Sequence, residues 1–249
     1  MIKFFRHIRR SLIQKNQMGK YFKYAIGEIL LVVIGILIAL QINNWNENRI
    51  TTKNQEKYLL LLQKENNANI EELNRVKLRV DSTLNAQRYL INNLDALSEK
   101  ELDSVLQHAI GPQTKTKLEN SVLLELKTTG ELKNITNDDL RKKLVGLEPY
   151  FISVKDQENR VIYQCDKARE LIVNIGNMAT IVNEAGLGVS KLFNQETSNL
   201  SLQDNSKFKN ILAIYLAETE VIMIRGYPRL EQHLNEIKSI INKELDLQR

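Results

Sequence analysis

The longest apolar stretch of the chain is the run ILLVVIGILIAL at residues 29–40. Only Glu28 and Gln41 separate it from further apolar residues on both sides, so the hydrophobic segment covers residues 25–44. As an α-helix, Tyr24–Trp45 would be about 31 Å long, which matches a bilayer hydrocarbon core of about 30 Å. The pattern predicts one transmembrane helix, which with its flanks occupies residues 20–48.

The flanks of this segment are typical of a membrane helix with a defined direction. Residues 1–23 contain seven Lys or Arg and no Asp or Glu. Because such cations resist translocation, we expect a cytoplasmic N-terminus and a C-terminal domain on the other side of the membrane. Aromatic and basic side chains are predicted at the two membrane interfaces, with anionic lipid headgroups as partners of the basic N-terminus. These residues are Tyr21, Tyr24, Trp45, Arg6, Arg9, Arg10, Lys20 and Lys23.

Two other interpretations of the N-terminus stay open. A cleaved signal peptide would need small residues at its cleavage site, which the sequence after Leu40 lacks, and Arg9-Arg10 resembles a twin-arginine signal but lies far from the apolar run. Within the basic segment 1–19, residues 2–13 carry apolar and basic side chains on opposite arcs of a helical wheel, which predicts an interfacial helix lying on the inner leaflet. A disordered basic tail is the alternative.

Glu28 is a carboxylate within the predicted span, about 10 Å from its centre. It shares one helix face with Val32, Gly35 and Ala39, and the two small residues would let another helix approach closely. The carboxylate could extend to the headgroups, could fix register across an oligomer interface, or could handle protons or cations. Glu28, Gly35 and Ala39 are therefore a predicted helix-packing face and a possible ion site.

The remainder of the chain, residues 49–249, is predicted to be an extracytoplasmic helical bundle, so the fold class is all-α. Helical periodicity continues without Gly or Pro from Thr52 to Leu97, which predicts a long stalk-like helix. At heptad spacing, eight of its twelve seam positions from Leu59 to Leu97 are apolar. This pattern fits either a coiled coil or one helix of an intrachain bundle.

Several shorter helices are predicted after residue 97. Ser98 and Glu101 form a capping box for a helix that ends near residues 111–112, and a second helix runs from about residue 117 to 129 and stops at Gly130. Thr136 or Asn137 caps a third helix, which extends to residue 147.

Three further helices are expected in the last hundred residues. Pro149 is predicted to start a long helix that ends near Glu184, followed by loops at 185–188 and 194–206. Residues 208–225 and 229–247 are predicted to form a helical hairpin broken at 226–228. The first hairpin helix is very apolar, but its two glutamates favour a buried core helix over a second span.

The amino-acid composition limits the folds and functions that are possible for this chain. Ten Gly and three Pro in 249 residues are too few for an all-β architecture. The net charge of +5 comes from the first 23 residues, since the rest of the chain has a net charge of −2; no basic face for nucleic acid is therefore predicted. Cys165 is the only cysteine, so no intramolecular disulfide is possible and a buried thiol is expected.

No motif for catalysis, a cofactor or a metal is recognisable. His7, His108 and His233 are isolated from other metal ligands, and Gly186-Leu187-Gly188 lacks the strand and the continuation of a phosphate-binding loop. No Ser or Cys lies in a nucleophile-elbow context. We therefore predict a protein that is not an enzyme and uses no cofactor or metal.

The segment YAIGE at residues 24–28 and the segment GILIALQINNWNE at 35–47 resemble the N-terminal signature of a single-pass membrane protein family common in Bacteroidota. The run LELK at 124–127, with Gly130 and LRKKL at 140–144, is similar to a second recurring segment of that family. The resemblance implies a Gram-negative inner-membrane protein with a periplasmic domain. It implies no activity and no partner.

Two functional hypotheses follow from these observations. The first is an oligomeric assembly, interaction or sensory scaffold that is anchored in the inner membrane, binds itself or a partner membrane protein, and has no catalytic role. The second is a subunit of a proton- or ion-conducting complex that uses Glu28.

Overall fold

The computed structural model describes residues 18–111, 113, 115–187 and 197–247. Helices account for most of these residues, and none of the described residues lies in a β-strand. The prediction of an all-α fold is therefore confirmed for the described part of the chain.

Seven α-helices follow one another in the described part of the chain. They are α1 (Met18–Asn93), α2 (Glu99–Ala109), α3 (Ser121–Thr129), α4 (Asp138–Ile175), α5 (Met178–Glu184), α6 (Ser206–Val221) and α7 (Tyr227–Leu247). Short 3-10 helices occur at Leu94–Ala96, Glu131–Asn134 and Asn199–Leu202, and a π-helical turn at Ile222–Gly226 connects α6 to α7.

The chain divides into two compact units, Met1–Glu56 and Lys57–Arg249. The division falls within α1. We call the second the helical unit. It contains a continuous hydrophobic core to which every α-helix after α1 contributes, together with the part of α1 that follows residue 57. Within this unit α4 packs against α6 and α7, and α2 packs against α5.

The predicted heptad seam of α1 lies in this intrachain core. Leu59, Leu73, Val76 and Leu90 are fully buried there, and the polar seam residue Asn69 is also buried. Nearly all of the seam is therefore covered by the chain's own later helices, as in the bundle interpretation.

Helix α7 runs antiparallel to this part of α1 and is linked to it by polar contacts. Gln63 Nε2 donates to Asn242 Oδ1 at 2.7 Å, and Asn66 Nδ2 donates to the Leu234 carbonyl at 2.9 Å. Further along, Lys77 forms an ion pair with Glu231. The predicted apolar stripe of the last helix is confirmed, since all five of its residues are buried in the core; they are Leu230, Leu234, Ile237, Ile241 and Leu245.

The structure corrects the prediction that a helix starts at Pro149 and ends near Glu184. Helix α4 begins after the Asn137 cap, passes through Pro149 and ends at Ile175, before Gly176. Proline removes one main-chain hydrogen bond, but buried residues on both sides of it, Leu147 and Val154, hold the helix against the core. The residues up to Glu184 form the separate helix α5, capped by Asn177.

The predicted break at residues 226–228 is also wrong. The π turn continues α6 into α7, with the Tyr227 N–H donating to the Ile222 carbonyl five residues earlier. Pro228 then lies in the first turn of α7, directly after the π turn. One inserted residue in the helical ladder thus accommodates Gly and Pro without a turn between two helices.

The local signals at helix ends are partly confirmed. The capping box is present: Glu101 Oε2 accepts from the Ser98 N–H at 3.0 Å and from its hydroxyl at 2.5 Å. Gly130 ends α3 with a φ of 75°, as expected of a glycine cap. Helix α3, however, starts at Ser121, four residues later than predicted, and α1 ends at Asn93. Cys165 is buried, as predicted.

Truncation of the α1 seam tests this packing. Leu73→Ala should lower the free energy of unfolding of the helical unit by about 2–5 kcal/mol, because a fully buried leucine is removed from the core. The measurement is urea denaturation of the full chain in detergent, followed by circular dichroism at the helix band. Leu78→Ala, on the same helix with 75% of its surface exposed, is the matched control and should change stability by less than about 0.5 kcal/mol. Equal losses in both variants would contradict the assignment of the buried face.

Candidate membrane-spanning segment and buried polar groups

The apolar run of α1 is exposed on every side. The large hydrophobic side chains of residues 29–42 are between 42% (Ile34) and 64% (Ile29) exposed, and the most apolar 18-residue window has no buried residue. A core helix of a soluble protein would be mostly covered by its own chain. Among the described residues, this is the one helix long and apolar enough to cross a membrane.

The predicted helix-packing residues occupy one face of this segment. Glu28 is partly covered by its own helix, where it lines a shallow groove with Lys23, Tyr24 and Leu31. Gly35 leaves an open notch, since no heavy atom lies within 4 Å of the position where a Cβ would be. The same face therefore combines a carboxylate with a site of close backbone access.

The predicted interface residues lie at the two ends of the segment. Tyr24 and Trp45 are exposed, as are Lys20 and Lys23. Arg6, Arg9 and Arg10 lie outside the described residues, with all of the predicted interfacial segment 1–19 except Met18 and Gly19, and the Tyr21 side chain is outside them too. These assignments stay predictions.

Two side-chain contacts at the C-terminal end of the apolar run were missed in the sequence. The Arg49 guanidinium lies 5.8 Å from the centroid of the Trp45 ring, and the Asn43 amide donates to Glu47 at 2.8 Å. Both pairs have i, i+4 spacing, which brings side chains together on a helix surface. That spacing is the signal that could have identified them.

In the helical unit, polar residues of α1 bind the segment before α3 and the first turn of that helix. Asn69 pairs with the backbone of Glu119, accepting from its N–H and donating to its carbonyl, both at 2.7 Å. One turn earlier, Glu65 accepts from the N–H of Val122 at 2.8 Å and from the Ser121 hydroxyl at 3.0 Å. These positions interrupt or border the heptad seam. Their side chains replace the main-chain partners that an irregular segment and the first turn of a helix lack.

Glu158 is a buried carboxylate on α4. It accepts from the Thr116 N–H at 2.9 Å and from the Tyr227 hydroxyl at 3.1 Å. Burial raises the pKa of Glu158, because it withdraws the carboxylate from water, while the two hydrogen bonds and the charge of Lys115 act in the opposite direction. Burial also raises the pKa of the Tyr227 phenol, which keeps that donor protonated.

Asn199 is the centre of a second buried network. Its amide donates to Asp103 at 2.5 Å and to the Asn177 carbonyl at 3.0 Å, and its oxygen accepts from the Asn177 N–H at 2.6 Å. Burial raises the pKa of Asp103, against the effect of the hydrogen bond from Asn199. Because Asn199 and Asp103 are 96 residues apart, no local spacing could have revealed this network.

The two described histidines have structural partners. A ring nitrogen of His108 lies 2.9 Å from the Ser104 carbonyl, and His233 lies 2.9 Å from the Lys143 carbonyl with its ring stacked on Tyr150. His7 lies outside the described residues. Within the described part of the chain, no group of three or more His, Cys, Asp or Glu is arranged to hold a metal ion.

Comparison of the chain with models of protein families, with curated proteins and with solved structures gave no match. The resemblance of the N-terminal segment to a Bacteroidota membrane family therefore stays a prediction. The part of the chain that the structure describes is helical, and it includes one helix that could span a membrane.

Replacement of Glu158 tests the effect of its burial. Above a pH equal to the ordinary carboxyl pKa of 4.5, the unfolded chain ionises at Glu158 before the folded chain does, so unfolding releases a proton and stability falls as pH rises. Glu158→Gln keeps an acceptor but cannot ionise. The stability of the wild type relative to this variant should therefore fall, by up to about 1.4 kcal/mol per pH unit, between pH 4.5 and the raised pKa.

The measurement is urea denaturation of both proteins at a series of pH values. Glu148→Gln removes an exposed carboxylate from the same helix and serves as the control. If the two variants differed from the wild type by the same pH-dependent amount, general charge and not burial would explain the effect.

Proposed function

We propose that this chain is a single-pass protein of a bacterial inner membrane, with its N-terminus in the cytoplasm and its helical unit in the periplasm. The observation that carries the proposal is the complete exposure of the apolar run, in contrast to the helical unit, which buries its own apolar residues. Exposed apolar surface of this extent is unfavourable in water and favourable in lipid.

The free energies of transfer of the side chains into the membrane favour insertion of this helix despite Glu28. Each Leu, Ile or Val in a transmembrane helix contributes roughly −0.3 to −0.6 kcal/mol, and residues 29–40 include ten of them. A charged side chain at the helix centre costs roughly 2.5–3.5 kcal/mol, and Glu28 lies away from the centre, where the cost is lower. The apolar run therefore outweighs the carboxylate.

We further propose that the helical unit is a scaffold for interaction or sensing. The buried polar groups described above already have structural partners. Glu65 binds the first turn of α3, and Asn69 binds Glu119 just before that helix. Glu158 binds Thr116, and Asp103 binds Asn199. This supports a role in which the unit presents its surface to other molecules. Gly35 and Ala39 on the exposed face of α1 support self-association or contact with a partner helix within the membrane.

Labelling of single cysteines tests the topology. Leu78→Cys in the helical unit and Met18→Cys before the span are both exposed. A membrane-impermeant maleimide should label Leu78→Cys once the outer membrane is opened, and Met18→Cys only after the inner membrane is permeabilised. Native Cys165 is fully buried and should stay unlabelled until the protein is denatured, which makes the wild type the internal control. The opposite order of labelling, or simultaneous labelling, would overturn the proposal.

Filling the Gly35 notch tests self-association. Gly35→Leu should weaken association of the full chain in detergent roughly tenfold or more, because the added side chain prevents close approach of two backbones. Val33→Leu, on the other side of the same helix, should leave it unchanged. Analytical ultracentrifugation measures both. A monomeric wild type, or equal effects of the two substitutions, would argue against an interface at this face.

A further inference from the structure

Helix α6 is apolar on two faces, and the helical unit covers only one of them. Phe208, Leu212 and Tyr215 on the first face are buried in the core. A helix that is apolar on most of its circumference is normally enclosed on all sides. The second apolar face of α6 lies exposed, so the described part of the chain does not supply its covering.

The exposed face is a row of apolar side chains that continues into the π turn. Ile214, Ala217, Val221 and Ile224 follow one another at intervals of three and four residues, so they lie on one side of the helix. Ile214 is 50% exposed and Ile224 is 66% exposed, while Val221 is half-buried. We call these four residues the α6 strip. Single exposed apolar side chains are ordinary on a protein surface, whereas a row of them is typical of an interaction site.

Ion pairs within the chain border the α6 strip on both sides. The only charged residues in 214–224 are Glu218 and Glu220. Glu218 binds Arg160 of α4 at 3.2 Å along one edge of the strip, and Glu220 binds Arg88 of α1 at 2.9 Å along the other. The chain therefore neutralises both carboxylates itself. Two copies of the strip could meet without repulsion between these glutamates.

The shape of the strip suits close contact between two helices. Ala217 lies near its centre, and Ala213, one turn earlier, is exposed beside it. Small side chains at a helix contact shorten the distance between the two axes, and the larger Ile214 and Val221 can then pack around them. Such a surface fits a copy of itself related by a two-fold axis, because the same patch serves on both sides.

The size of the strip distinguishes between kinds of partner. Residues 214–224 extend about 16 Å along a helix about 10 Å wide, a footprint several times smaller than the roughly 800 Å² that each partner buries in a stable interface. A partner that diffuses freely would therefore be bound weakly. Two copies anchored in one membrane have a raised effective concentration, so a small contact between them is sufficient.

We infer that the α6 strip binds the α6 strip of a second copy of this chain. The inference rests on the proposed function, since it requires two copies anchored in one bilayer in the same direction. Ala217 lies closest to the two-fold axis and contacts its own counterpart, and Ile214 and Ile224 are withdrawn from water on either side of it. The contact belongs to the helical unit and is therefore distinct from the face that contains Gly35.

Crosslinking of single cysteines in the full chain, reconstituted in lipid vesicles, tests the inference. Ala217→Cys should form a covalent dimer with a short bismaleimide, because the two thiols lie beside the axis. Val173→Cys, which is 64% exposed on α4, is the control and should give at least about tenfold less dimer, by chance encounter alone. Native Cys165 is fully buried and should not react. Equal yields from the two introduced cysteines, or no dimer from Ala217→Cys, would overturn the inference.

A charge placed in the strip provides the second test. Ile224→Glu should lower the dimer yield of Ala217→Cys at least about tenfold, because the contact would bury a carboxylate without a partner. Val173→Glu adds the same charge at a position of nearly equal exposure, 64% against 66%, and should leave the yield unchanged. Ile214→Glu should act as Ile224→Glu does, and circular dichroism verifies that each variant is folded. An unchanged yield in either strip variant, or an equal loss with Val173→Glu, would contradict the inference.

The topology experiment separates failure of this inference from failure of the proposed function. The wrong order of maleimide labelling at Leu78→Cys and Met18→Cys would overturn the membrane proposal whatever the yield of dimer. The correct order without a crosslink at Ala217→Cys would overturn the strip contact alone. Protection of Ala217→Cys from a monofunctional maleimide in that case would identify lipid or a different protein as the covering of α6.

Discussion

The distribution of apolar surface along α1 is the constraint on which the rest of the structure depends. Between residues 29 and 42 the helix is apolar nearly all round, and no described part of the chain covers it. From Tyr58 to Leu90 the same helix has one buried face and one polar face. The hydrophobic effect therefore sets two requirements for one helix: a medium that surrounds the first stretch completely, and a protein core on one side of the second.

The part of α1 that follows residue 57 packs against the protein core although its heptad seam is only partly apolar. Polar groups within the seam account for this. A uniformly apolar seam would bury more hydrophobic area, but it would offer nothing to the irregular backbone between α2 and α3. Asn69 supplies such partners, and Glu158 does the same from α4, while Glu65 binds the first turn of α3. Each is buried, in surroundings where an unpaired main-chain group is costly. The buried face of α1 therefore has fewer hydrophobic contacts than a uniformly apolar face would have. In return, its polar groups fix the course of the backbone between α2 and α3.

The sequence predicted features that depend on near neighbours. The capping box at Ser98 and the stripe of the last helix are set by residues within a few turns of each other, and both are present in the structure. The predictions at Pro149 and at the Gly-Tyr-Pro sequence of 226–228 were wrong because these residues locally favour a break, whereas packing against the core holds both segments helical. The contact of Asn199 with Asp103 joins residues far apart in the chain and leaves no periodic signal. The predicted intramembrane face rests on helix geometry alone.

The antiparallel contact between α1 and α7 has a consequence for biosynthesis. Gln63 meets Asn242, a separation of 179 residues, and Asn66 meets the Leu234 carbonyl. During synthesis α1 emerges before α7, and the face that it shares with α7 stays uncovered until most of the chain between them has been made. Contacts of such long range close slowly, and exposed apolar faces invite aggregation in the meantime. A nascent chain that stops before Tyr227 would expose this uncovered face to proteases and chaperones.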